Sequence, residues 1–256
     1  MLTAVEKGDA KELAELMRQD PGFKVNMAVD RVGNTLLHYA CNWSDISSPV
    51  IPLLLAHPDI DVHSKNTGGS TPFFCAAQFG LPSCVREMLK DSRLRVNEIS
   101  YDGSTPLWWA AARGHLDVIK WWIASGREID LGTPGDIDKT DAIGVAKKKG
   151  KTEVVALLEK FKSDATQTRH AIRVELGLLD DLAAEMFALV VFVSDGLLQI
   201  NDTTTPSPAA RYFKIARRLP LELQMILCYR VVESDKEIIP GTESEAAFKE
   251  LARRRW

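Results

Sequence analysis

Four segments of the sequence repeat one pattern at spacings of 36, 34 and 36 residues, and no other property of the chain constrains its fold as tightly. They are TLLHYACNW from Thr35, TPFFCAAQFG from Thr71, TPLWWAAARG from Thr105 and a degraded DAIGVAKKKG from Asp141. Each is followed by a second apolar stretch of helical period: VIPLLL, VREMLK, VIKWWI and VVALLE. One helix over Leu2 to Met17 ends in the same pattern (ELAELM) and reads as a partial first repeat. A unit this short cannot bury its apolar face alone. Copies must therefore stack, and the expected architecture is an all-α solenoid of about five repeats, the outer ones irregular.

The chemistry of single positions supports this reading. Thr before Pro at the head of an apolar run is a helix start, since the hydroxyl accepts from an early amide and Pro suits the first turn. The small pairs Ala40 and Cys41, Ala76 and Ala77, and Ala110 and Ala111 let neighbouring helices approach closely. Gly80, Gly114 and Gly150 end the first helices, and Gly33, Gly69 and Gly103 stand two residues before each Thr. In these residues the chain resembles the ankyrin family, whose repeat of about 33 residues opens T-P-L-H-x-A. The resemblance covers Met1 to Lys162. The departures are two extra residues in SDISSP, Phe74 and Trp108 in place of the motif His, and a last repeat without Thr, Pro and His. That last unit carries Lys147, Lys148 and Lys149, as a polar terminal cap would, although 94 residues follow it.

The resemblance implies no catalytic centre. It implies instead a concave face made of loop tips and the exposed side of the first helices, binding a protein partner. Register puts Arg31, Thr67, Tyr101 and Ile137 at the tips, and Trp43, Phe79, Arg113 and Lys149 along the helices. Two aromatics followed by two cations form a graded row of residue types enriched at interface hot spots. Four of the six tryptophans, Trp108, Trp109, Trp121 and Trp122, fall in one repeat. An aromatic cage for a methylated lysine needs open ring faces, whereas these positions read mainly as core between repeats. By the resemblance His38 and His115 bond backbone. No histidine pair has zinc spacing, and there is no Walker loop, GxSxG or HExxH, so the sequence assigns no catalytic residue, no metal and no cofactor.

From Ser163 the period stops, dividing the chain into a repeat domain at 1–162 and a helical C-terminal module at 163–256 expected to dock on the last repeat. SDATQTRHAIR reads as a polar joint, and Leu176 to Ile200 as a helix apolar enough to need burial. NDTTTPSP is a loop by composition, Pro220 divides two further helices, and EAAFKELARRRW closes the chain as a short helix. On the helix after Pro220, Leu219, Leu223, Ile226, Leu227 and Val231 share an apolar stripe. The segment LPLELQMIL, within a stretch starting at 218, resembles the opening helix of an F-box. It is also similar to the C-terminal segment of poxviral ankyrin proteins and to the tails of fungal ones. That likeness implies contact of Leu219, Pro220, Leu223, Ile226 and Leu227 with a Skp-type adaptor of a ubiquitin ligase, although the plain reading of such a stripe is core. Asp180, Asp181, Glu185, Asn201, Asp202, Thr205, Arg211 and Tyr212 resemble fragments of terpene-synthase diphosphate motifs. Too little chain remains to build the cavity that such a metal-dependent enzyme needs.

Composition narrows the partners. With 32 Lys plus Arg against 35 Asp plus Glu, 45% hydrophobic residues and a formal charge of -3, the chain has no basic excess to hold nucleic-acid phosphate and is too apolar for wholesale disorder. No stretch of about 20 uninterrupted apolar residues offers a membrane span. Cys41, Cys75, Cys84 and Cys228 lie far apart without a CxxC pair, and the N-terminus lacks the apolar core of a signal peptide. The expectation is an intracellular protein, cytoplasmic or nuclear, that recognises another protein without catalysis.

Overall fold

A computed structural model describes residues 1–20, 22–42, 45–132, 140–195, 212, 213, 215, 216, 218–232, 239, 246, 247 and 249. The chain divides into two compact units, Met1–Arg169 and His170–Trp256. The secondary structure of the described residues is helical. No helix among them is long and apolar enough to cross a membrane.

The first unit stacks helix pairs: α1 (Leu2–Glu6) with α2 (Ala10–Gln19), α3 (Leu36–Ala40) with α4 (Ile51–Leu55), α5 (Pro72–Phe79) with α6 (Pro82–Leu89), α7 (Pro106–Arg113) with α8 (Leu116–Ser125), and α9 (Ala142–Lys148) with α10 (Thr152–Ser163). The first pair corrects an expectation, because Leu2 to Met17 is two helices rather than one. Gly8 breaks it at φ +67, and a Cβ there would stand 2.1 Å from the Ile46 carbonyl oxygen. Asp9 then starts α2 by accepting from the Glu12 amide at 2.9 Å. The opening repeat is thus a complete helix pair without the Thr motif.

The inner helices begin as their sequences require. Thr35, Thr71 and Thr105 cap α3, α5 and α7 by accepting from the amides of His38, Phe74 and Trp108. In the degraded fifth repeat Asp141 takes over, accepting from the Gly144 amide at 2.6 Å. The motif has lost its letters there and kept its cap. His38 reaches across to the Ser70 carbonyl at 3.0 Å, and Trp108 makes the equivalent bond in its own repeat, its indole N–H donating to the Thr140 carbonyl at 3.1 Å. Substituting Trp for His at this position therefore preserves the tie to the next loop.

The two extra residues of the second repeat also have a use. Residues Asp45–Val50 wind into a 3-10 turn ahead of α4. Its Asp45 carboxylate accepts from the amides of Ser83, at 3.0 and 3.2 Å, and of Cys84, at 3.3 Å. These belong to the first turn of α6, whose own cap residue, Leu81, supplies no side-chain acceptor. One repeat thus caps a helix of the next.

Apolar burial joins the layers. Phe73 and Trp122 meet edge to face at 5.0 Å, and Leu37, Leu54, Met88 and Ile119 are fully enclosed. The division between the two units falls within SDATQTRHAIR, after Arg169, and the segment is helical, lying largely in α11 (Ala165–Glu175). Asp164 starts this helix by accepting from the Gln167 amide at 2.9 Å, and Arg169 donates to the Ile123 carbonyl at 3.2 Å. A local cap and a long-range bond make this polar connection helical.

In the second unit, α12 (Leu178–Ser194) and α13 (Leu221–Val231) enclose Ala183, Ala184, Phe187, Val190, Cys228 and Tyr229. Helix α13 begins directly after Pro220. Its inward face differs from the expected stripe: Gln224, Cys228 and Tyr229 are buried, whereas Leu223 and Val231 are exposed and Leu219, Ile226 and Leu227 are half-buried. Polar anchoring sets this rotation, with the Tyr229 hydroxyl donating to Asp180 at 3.2 Å and Tyr212 meeting the Cys228 sulfur at 3.4 Å. The remainder of Leu176 to Ile200 beyond Asp195, the NDTTTPSP loop and most of the terminal segment lie outside the described residues.

Neighbouring loop tips approach closely at Gly69, which has φ +75 and would place a Cβ 2.5 Å from the Tyr101 ring and 2.6 Å from its amide nitrogen. Gly69→Ala is expected to lower stability by about 1 kcal/mol or more through the left-handed backbone and the clash with backbone. Urea unfolding of the full chain measures it, and an unchanged midpoint would show that the tips do not need this approach.

Candidate functional site

The tips and inner helices of the first unit form the candidate site. Each tip is a turn held by a short polar side chain. Asp30 Oδ1 accepts from the amides of Val32 and Asn34, both at 2.9 Å. Asn66 Oδ1 accepts from Gly68 at 3.0 Å and Ser70 at 3.1 Å, and Asp102 accepts from Ser104 at 2.9 Å. Adjacent tips are joined by backbone, Thr67 N–H to the Val32 carbonyl at 2.8 Å and Tyr101 N–H to the Gly68 carbonyl at 3.2 Å. Asn66 also donates to the Asn34 side chain at 3.0 Å. A rigid ladder of tips results.

Between these tips and helices α3 and α5 lies an open cavity of about 320 Å³, lined by Asp30, Asn34, Tyr39, Asn42, Gln78 and Phe79 among others. Burial alone would push the Asp30 carboxyl up. Hydrogen bonds from Asn34, Val32 and Tyr39 outweigh it and hold the group below its ordinary range. Burial and the Asp30 carboxylate together push the Tyr39 hydroxyl up. Burial drives the Cys75 thiol to about 12, so this wall is chemically inert. Asn42 Oδ1 is buried with no hydrogen-bond partner among the described residues.

The expected binding row is placed as follows. Arg31, Thr67, Tyr101, Phe79, Arg113 and Lys149 are all exposed, Tyr101 by 72% and Phe79 by 42%. Trp43 and Ile137 lie outside the described residues. Phe79 lines the cavity, and the Arg113 guanidinium carbon lies over its ring at 5.4 Å and over Trp109 at 5.2 Å. Lys65 approaches the Tyr101 ring at 5.9 Å. The tryptophan cluster divides: Trp108 and Trp122 are buried, while Trp109 and Trp121 are half-buried beneath Arg113 and Arg86. Those rings already carry cations of their own chain.

Sequence reasoning missed Asp30, Asn34, Tyr39, Asn42 and Gln78. A signal existed, because Asn42 and Gln78 share one register position, as do Asp30 and Asn66, and both positions adjoin the predicted row. Among the described residues no group of three His, Cys, Asp or Glu side chains could hold a metal ion. Asp180, singled out for diphosphate chemistry, accepts from Tyr229, and Asp202 lies outside the described residues.

The family model described as Ankyrin repeats (3 copies) matches residues 44–134. The middle of the stack is similar to ankyrin repeats. Human SMC5-SMC6 complex localization factor protein 1 is 28% identical over 192 residues, 66% of this chain and 17% of that protein. An ankyrin repeat protein of variola virus is 28% identical over 114 residues, 43% of this chain and 20% of its own length. Human transient receptor potential cation channel subfamily A member 1 is 33% identical over 115 residues, 44% of this chain and 10% of the channel. The chain spans a fifth or less of each. Ankyrin repeats imply a protein partner and are typically non-enzymatic.

His38 ties the cavity wall together. With Nε2 bonded to the Ser70 carbonyl, Nδ1 is left to accept from Thr35 N–H at 3.2 Å. A second proton would abolish that acceptor, and burial accordingly lowers the His38 pKa. The unfolded chain therefore takes up the proton first. Stability is expected to hold above the ordinary histidine value of about 6.5 and to fall as the pH drops below it. His38→Gln should flatten that fall in urea unfolding, leaving the share due to His115, whose pKa is also lowered mainly by burial. An equally steep fall in the variant would remove the assignment.

Proposed function

We propose that the ankyrin unit is a non-catalytic recognition module or adaptor whose concave face binds a protein partner through Arg31, Trp43, Thr67, Phe79, Tyr101, Arg113, Ile137 and Lys149. The carrying observation is the exposed Phe79 and Tyr101 on a hydrogen-bonded ladder of tips beside an open cavity. Exposed rings held in place by a neighbouring cation supply contact area at low entropic cost, and a preformed cavity avoids reorganisation on binding. The likeness to a protein named as a complex localization factor supports an adaptor role, with a multi-subunit complex as the partner. In this reading residues 1–162 recognise and residues 163–256 form a separate helical module.

Phe79→Ala combined with Tyr101→Ala is expected to weaken binding of a partner captured by the wild-type chain about tenfold or more, with the unfolding midpoint little changed. Retained affinity would move the binding surface elsewhere.

A second reading concerns α13. Pro220 and Leu223 are exposed, Leu223 by 47%, on the segment similar to an F-box opening helix. That exposure favours docking of a Skp-type adaptor through Leu219, Pro220, Leu223, Ile226 and Leu227. Mixing the purified chain with the adaptor at micromolar concentration should give a complex that Leu223→Asp abolishes. No complex would leave α13 a structural helix.

A further inference from the structure

We infer that the basic end of the concave face, formed by Arg113, Lys149 and Lys151, holds an acidic segment of the protein partner, with an Asp or Glu carboxylate seated on the Arg113 guanidinium. The inference rests on the concave-face reading and adds the partner's chemistry.

Three observations carry it. First, Arg113 is held in place without being neutralised. Its guanidinium lies over Phe79 and Trp109, yet among the described residues no carboxylate or carbonyl accepts from it. Ring faces order a guanidinium while leaving its coplanar N–H donors free, and that edge matches a carboxylate in two parallel hydrogen bonds. Second, the charges converge. Lys149 occupies the register position of Arg113 in the next repeat and is exposed. The Lys151 stem is laid across the end of α7, its Cδ 2.8 Å from where a Cβ on Gly114 would stand. Arg113 and Lys151 both act on the same imidazole, that of His115, adding to the lowering that burial causes. By contrast Lys147 is already paired with Glu159 at 2.6 Å.

Third, the neighbouring surface selects a peptide over a polyanion. Phe79 forms both the stack under Arg113 and a wall of the cavity. The same cavity is lined by Asp30, whose carboxyl is held below its ordinary range by hydrogen bonds. A continuous row of phosphates crossing from Lys149 past Arg113 towards the cavity would meet the Asp30 carboxylate, whereas a protein segment can set an acidic residue on Arg113 and a different side chain in the cavity. With a formal charge of -3 the chain also lacks a general attraction for nucleic acid.

The probe is a displayed library of random dodecapeptides selected on the full chain. Enriched peptides should carry an excess of Asp and Glu. Synthetic copies should lose about tenfold or more in affinity on Arg113→Glu, less on Arg113→Lys, and should weaken between about 0.05 and about 0.5 M salt. Circular dichroism of the variants separates this loss from unfolding, and Lys149→Glu, at an exposed site, should weaken the same peptides independently. Enriched peptides that need Phe79 but carry no acidic excess and ignore Arg113 would overturn the acidic partner while keeping the concave-face reading. Peptides indifferent to both Phe79 and Arg113 would overturn both. An absence of enrichment, or displacement of the peptides by a single-stranded oligonucleotide at lower concentration, would also overturn the proposal.

Discussion

The stack depends on how closely one loop tip can lie against the next. The Tyr101 amide can reach the Gly68 carbonyl because Gly69 adopts a backbone conformation, and leaves a space, that no side chain would permit. The tip in turn fixes where the following inner helix starts, since the capping Thr follows it closely in the chain. Helix packing, the cavity and the aromatic row all inherit their positions from this approach. The apolar core holds the layers together, and the tips set their register.

Much of this was legible because it is periodic. The Thr caps, the glycines, the small residue pairs and the apolar second helices each recur, so every copy supports the reading of the others. What escaped was whatever depends on a partner distant in sequence. Two helices at the N-terminus were read as one because the break comes from Gly8 meeting Ile46, a contact that the local pattern does not reveal. The polar composition of SDATQTRHAIR marks the joint between the two units but not its helix, which Asp164 caps and where Arg169 reaches the Ile123 carbonyl. In α13 an apolar stripe suggested one buried face, and the hydroxyl of Tyr229 selected another.

The site was legible to a similar degree. Register placed Phe79, Tyr101, Arg113 and Lys149 in one row, and all four are exposed. It did not foresee that the polar residues beside them, Asp30 and Asn42, enclose a cavity, because turn-forming Asp and Asn normally spend their acceptors on their own backbone. Asp30 does so, and Asn42 does not. The difference lies in three-dimensional surroundings rather than in residue type.

Asp45 gives the array an uneven mechanical character. In a regular solenoid each junction contributes a similar share of stability, and unfolding can start at an end and move inward one unit at a time. Here a carboxylate from the second repeat closes the exposed amides of a helix in the third, so loss of the second repeat uncovers the first turn of α6. These two repeats are therefore bound to open together. A fraying front advancing from the N-terminus would meet a step at this junction, placing the cavity walls contributed by both repeats within one cooperative block.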